Sequence, residues 1–175
     1  MLKIEELGSF RCPAFDVIPD IELYMDQVLS LTDKYFAPLC EDNGEGCITS
    51  SMINNYVKMK IVPPPEKKRY KREQIALIFM ITVLKRVLSM NRIGELFVQL
   101  HEKHTTKEIY GIFEKEVNAA VSYISQVGHG AEGAFTVHCS GLYGPSLALK
   151  CAVDSFSNVV LSELLISSGT AKENA

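Results

Sequence analysis

Four groups of residues have types and spacings that could do chemistry. His101 and His104, in HEKH, lie three apart at a helix end and could share a metal, although a surface HEKH is also an ordinary polar stretch and no carboxylate or cysteine is spaced to complete the site. His138, Cys139 and Cys151 could sense a metal or an oxidant, but burial as small hydrophobes explains the two cysteines more cheaply. Gly128, Gly130 and Gly133 spell a formal G-x-G-x-x-G, but that fingerprint needs a strand before it and the preceding residues are helical, so a flexible link is the expectation. No nucleophile, base and orienting group fall together, and the reading is a chain without catalysis, metal or cofactor.

The fourth group is basic. From 48 to 74 there are seven basic residues (Lys58, Lys60, Lys67, Lys68, Arg69, Lys71, Arg72) against Glu66 and Glu73, a local +5. With −3 overall, the remainder carries −8. A basic patch on an acidic body suits a local polyanion contact, because repulsion elsewhere limits indiscriminate binding. A solvated charged turn is the plainer alternative.

The elements that must position these residues follow from periodicity. At 47% hydrophobic and 22% charged, 175 residues suffice for one substantial core or two small ones. The apolar run 75–84 is too short for a membrane span. Five scattered cysteines, an odd number without CxxC spacing, and no charged-then-apolar leader lead us to expect a cytoplasmic protein without a disulfide framework.

Residues 1–18 are expected to form an irregular arm. Asp20 can cap a helix over 21–36, and a polar loop, EDNGEG, follows. Thr49, Ser50 or Ser51 can cap a short helix over 52–59 with Ser51, Asn54, Asn55 and Lys58 outward. Pro63, Pro64 and Pro65 belong at the edge or tip of a hairpin, since proline donates nothing to a ladder. The stretch 72–88 is apolar nearly all round and should be core. Ser89 can cap 90–101, Thr105 or Thr106 a helix over 107–126, and Pro145 can begin another to about 167. The expected fold is all-α with one small β-hairpin wing, divided as arm 1–18, winged domain 19–104, helical region 105–168 and tail 169–175.

Short helix, hairpin, KKRY and REQI, apolar helix and LSxxxI together resemble the winged helix-turn-helix of MerR-type transcription factors. Tyr56 falls on the second tyrosine of that pattern, Ile61 and Val62 on its leucine pair, Pro64 on its proline, Arg69 and Tyr70 on the wing's end, and Leu88-Ser89 on its Phe-Ser pair. The resemblance covers 19–100, interrupted at 37–47. More narrowly, PDIELYMDQV, MINNYVK, PPP and KKRYxREQIA resemble an uncharacterised bacterial family, the YkrK-like domain of unknown function. The chain departs from the MerR pattern at Asn54 and Asn55, which replace an arginine and a tyrosine, at Lys60, which replaces a glycine, and at Lys71, which replaces a capping Ser or Thr.

The resemblance implies a DNA-binding regulator. Thr49, Ser50, Ser51, Asn54, Asn55, Tyr56 and Lys58 would address the major groove of double-stranded DNA. Lys67, Lys68, Arg69, Tyr70 and Lys71 would meet flanking phosphates. It further implies a homodimer through the C-terminal helices, with a possible small-molecule effector. A protein-interaction module on the same fold, or a small-molecule sensor, is the alternative.

Overall fold

The computed structural model describes residues 4–40, 46–128 and 141–172. Among these residues the chain is mainly helical, with one two-stranded antiparallel sheet. The helices are α1 (Ile4–Ser9), α2 (Met25–Phe36), α3 (Ser50–Lys58), α4 (Arg72–Leu84), α5 (Met90–His101), α6 (Thr106–Gly128) and α7 (Pro145–Lys172). The strands are β1 (Leu23–Tyr24) and β2 (Arg69–Tyr70).

As its composition requires, α4 is the centre: every residue from Gln74 to Leu84 is buried. Around it α2, α6 and α7 pack, and one cluster of buried side chains runs from Leu7 to Leu164. The long helices α6 and α7 pack on each other, α6 presenting Ile109, Phe113, Val117, Val121 and Ile124, and α7 Leu149, Val153, Phe156 and Val160. α4 ends at Leu84, and residues 85–88 turn the chain into α5, four residues earlier than the apolar pattern suggests.

The N-terminal segment, expected as an irregular arm, is packed into the core. Leu7, Phe10, Cys12, Phe15 and Ile18 are buried, and α1 packs on α6. Asn118 Oδ1 accepts from the Cys12 N–H at 2.8 Å, and the Tyr110 hydroxyl donates to the Pro13 carbonyl at 2.9 Å. Their spacing is irregular because the chain there follows the surface of α6 instead of a period of its own.

Nor does the first long helix begin at Ile21 under an Asp20 cap. Leu23 and Tyr24 are extended, paired with Tyr70 and Arg69, and Gln27 Oε1 accepts from the Tyr24 N–H at 2.9 Å. Asp20 lies instead 3.7 Å from Arg72. The expected hairpin shrinks for the same reason: β2 pairs with β1, while Ile61 and Val62 are buried behind α3. Pro63 to Pro65, with no N–H to donate, carry the chain across between them.

The sulfurs of Cys40 and Cys47 are bonded, with Cα atoms 5.3 Å apart, which corrects the expectation of no disulfide. The two cysteines meet because the chain doubles back between α2 and α3. The Cys47 N–H donates to Asp33 Oδ1 at 2.7 Å, and a Cβ on Gly46 (φ +76°) would meet that carboxylate at 2.8 Å. The glycine run at 129–133, His138 and Cys139 lie outside the described residues. No helix among those described is long and apolar enough to cross a membrane.

Candidate nucleic-acid interface

α3 starts where a cap allows it to. Thr49 is extended, and its hydroxyl accepts from the Met52 N–H at 3.3 Å. Ile53 and Tyr56, three apart, fall on the inner face and are buried, leaving Ser50, Ser51, Asn54, Asn55 and Lys58 exposed. The helix ends at Met59. Lys60, at φ 60°, turns left-handed, its N–H reaching the Val57 carbonyl at 3.0 Å while the Ile61 N–H reaches that of Tyr56 at 3.0 Å. This is a Schellman ending, in which the left-handed position is ordinarily glycine.

The basic turn is equally specific. The Arg69 N–H donates to the Glu66 carbonyl at 2.8 Å, and the two residues between, Lys67 (φ 47°) and Lys68 (φ 65°), both have positive φ. That is the geometry of a type I′ turn, for which Asn-Gly is the usual pair. Arg69 lays its guanidinium 4.9 Å from the Tyr24 ring centroid and donates to the Tyr24 hydroxyl at 2.9 Å. The turn is thus fastened to the start of α2.

Apart from Arg69, the basic residues divide into two sets. Lys71 donates to Glu66 Oε1 at 2.6 Å, a bond that holds its ammonium above the usual lysine range. Arg72 turns inward, donating to the Ile18 carbonyl at 2.8 Å and lying near Asp16 and Asp20. Among the described residues no ion pair reaches Lys58, Lys60, Lys67 or Lys68, all of them exposed.

Two of the expected contact residues are core instead. Tyr56 is 3% exposed and Tyr70 2%, and burial raises both phenols, that of Tyr56 to about 12. Their rings pack inward with little surface left to solvent. Residues outside the expected contact set stand beside α3 instead. Ser51, Met52, Asn55 and the edge of Tyr56 line a cleft of about 470 Å³ with Lys85, Leu88, Ser89 and Met90. Lys85 Nζ donates to the Cys47 carbonyl at 2.6 Å. Its place, directly after an apolar helix, was the available signal.

Both ring nitrogens of His101 have hydrogen-bond partners: Nδ1 lies 2.7 Å from the Phe97 carbonyl and Nε2 3.1 Å from the Thr106 hydroxyl. Among the described residues no three His, Cys, Asp or Glu side chains group to hold an ion.

These features define a helical domain with a central buried helix, a short helix turned outward beside it, and a basic turn pinned to a two-stranded sheet. A family model described as a domain of unknown function, DUF1836, matches residues 13–117, and the chain belongs to that family. No curated protein and no solved structure matches it.

Proposed function

We propose that the chain is a DNA-binding transcriptional regulator of the MerR-like winged helix-turn-helix kind. Ser50, Ser51, Asn54, Asn55 and Lys58 of α3 face the major groove, and Lys67, Lys68 and Arg69 meet flanking phosphates. One observation carries this reading. Among the described residues the non-glycine residues with positive φ are Lys60, Lys67 and Lys68, three exposed lysines beside α3 and in the turn. A left-handed conformation costs an L-residue roughly 1–2 kcal/mol. Glycine or asparagine would relieve it at each position, so charge is kept there against the backbone's preference. Such strain gathers at functional sites.

Single modules of this size bind duplex weakly, so the working species is a homodimer in the cytoplasm, with exposed parts of the C-terminal helices as its seam and room for an effector. The test is fluorescence anisotropy of the purified chain on selected genomic fragments across a salt series. Affinity should fall steeply with salt and vanish in Lys67→Glu/Lys68→Glu/Arg69→Glu. Absent or salt-independent binding to every fragment would remove the reading.

A protein-interaction module is the second reading, and Met52 and Met59 favour it. Both are over a third exposed on α3, and Met52 borders the same cleft as Leu88 and Met90, a soft apolar surface of the type that accepts another protein. One stoichiometric protein partner, with no DNA binding at low salt, would decide for it.

A further inference from the structure

We propose that Cys40 and Cys47 form a reversible thiol–disulfide site that fixes the start of α3, and that low-molecular-weight thiols are its co-reactants. The pair sits where a covalent bond has most leverage on that helix. Cys47 is two residues from the Thr49 cap, and Ile48 between them is buried. Three attachments converge on the pair. Asp33 accepts from the Cys47 N–H at 2.7 Å, Lys85 donates to its carbonyl at 2.6 Å, and Arg86 Nη1 donates to the Leu39 carbonyl, next to Cys40, at 3.1 Å. Arg86 also pairs with Glu163 at 2.6 Å, so the pair is tied to α7 as well as to α2 and the turn after α4.

The chemistry balances as an exchange. A small thiolate attacks Sγ of the half-buried Cys40, and the buried Cys47 leaves and takes up a proton, its carbonyl held by the Lys85 ammonium and its N–H by the Asp33 carboxylate. A second small thiol then attacks the mixed disulfide. Cys40 and Cys47 each end as a thiol, two electrons are transferred, and the two small thiols depart joined as their disulfide. Reoxidation by a small disulfide runs the same steps backward. With the bond open, α3 keeps its hydrogen bonds but loses the covalent link between its start and the end of α2.

The full chain is equilibrated in glutathione buffers of increasing reducing strength, with maleimide labelling read by peptide mapping and hydrogen exchange read in parallel. The expected result is two additional labels, on Cys40 and Cys47, rising together, and exchange at 48–58 faster by about tenfold in the reduced form while the amides of α4 are unchanged. Cys40→Ser should exchange like the reduced chain in every buffer. Labels that never change between buffers would overturn the proposal, as would labels that change with exchange at 48–58 unaltered. DNA affinity measured in the same buffers rests on the preceding reading: absent binding in both forms, with the exchange difference intact, removes that reading and leaves this one standing.

Discussion

Gln74 donates its side-chain amide to the carbonyl of Pro63 at 2.9 Å, and to that of Pro64 at 3.0 Å, while its Oε1 accepts from the Lys71 N–H at 2.7 Å. One buried side chain therefore holds the proline crossing and caps α4. Lys71 has no side-chain acceptor to offer, so the cap comes from inside the helix. Gln74→Leu should lower unfolding free energy by about 2–3 kcal/mol, the sum of one cap and two modest hydrogen bonds. Gln74→Glu separates the roles. Glutamate is a good capping residue at this position, but its carboxylate would face two carbonyl oxygens. Urea denaturation should show the Glu variant at least as damaged as the Leu variant. Recovery to near wild-type stability would mean that Gln74 only caps.

Lys67 and Lys68 occupy the two left-handed positions of the 66–69 turn. Lys67→Asn/Lys68→Gly should raise stability by about 1 kcal/mol, since Asn-Gly adopts a type I′ turn with little strain, part of the gain being offset by the entropy of the added glycine. The same change should weaken DNA binding and flatten the salt slope by about two, one for each lost phosphate contact. Urea midpoints and anisotropy titrations on one preparation would read both. A variant more stable and equally tight on DNA would show that these lysines are only a solvated turn.

What was legible in the sequence is what local rules govern. The all-round burial of α4, the Ser89 cap of α5 and the outward face of α3 follow from side chains three or four apart. A two-residue strand has no period to display, so β1 was absorbed into the helix behind it. Cys40–Cys47, Asn118 with Cys12, and Tyr110 with Pro13 are meetings between distant segments, which spacing does not encode. At the site the exposed polar residues of α3 were readable from helical phase. The same phase turns Tyr56 inward, where it is buried, whereas the motif names Tyr56 and Tyr70 as contacts without saying which way either faces.

Lys150 was likewise invisible as a partner. Its ammonium, with the side chain 8% exposed, lies 3.0 Å from Glu116 on α6 and 3.1 Å from Asp154 one turn along α7. Burial works against its charge, and the hydrogen bonds it donates to Glu116 and Asp154 outweigh that, so its pKa is raised. Lys150→Met leaves the buried Glu116 and the part-buried Asp154 without the cation they share and should cost about 3–5 kcal/mol near neutral pH. Adding Glu116→Gln and Asp154→Asn should return most of that loss. Urea denaturation of the single and triple variants measures both, and a single variant within about 1 kcal/mol of wild type would show the triad to be dispensable.

Alkaline stability should depend on Cys12. Burial pushes its thiol from 9.0 to about 12, against the opposing effect of its hydrogen bond with Tyr110, and Tyr56 and Tyr110 are raised by burial too. These groups keep their protons longer in the folded chain than in the unfolded one. Their contribution is therefore complete below about pH 9, the unfolded thiol value, and is lost as pH rises toward the folded values. Unfolding free energy, measured anaerobically, should begin to fall near pH 9 with a slope approaching about 1.4 kcal/mol per pH unit. Above pH 10 the slope should steepen as the unfolded tyrosines ionise, and Lys150, charged in the folded state, loses its proton in the unfolded chain over the same range. Cys12→Ala should cost about 1 kcal/mol at pH 7 for the lost packing, yet move the onset of the decline up to about pH 10, where the tyrosines, Lys71 and Lys150 drive it. An unchanged slope between pH 9 and 10 in that variant would place the alkaline weakness elsewhere in the chain.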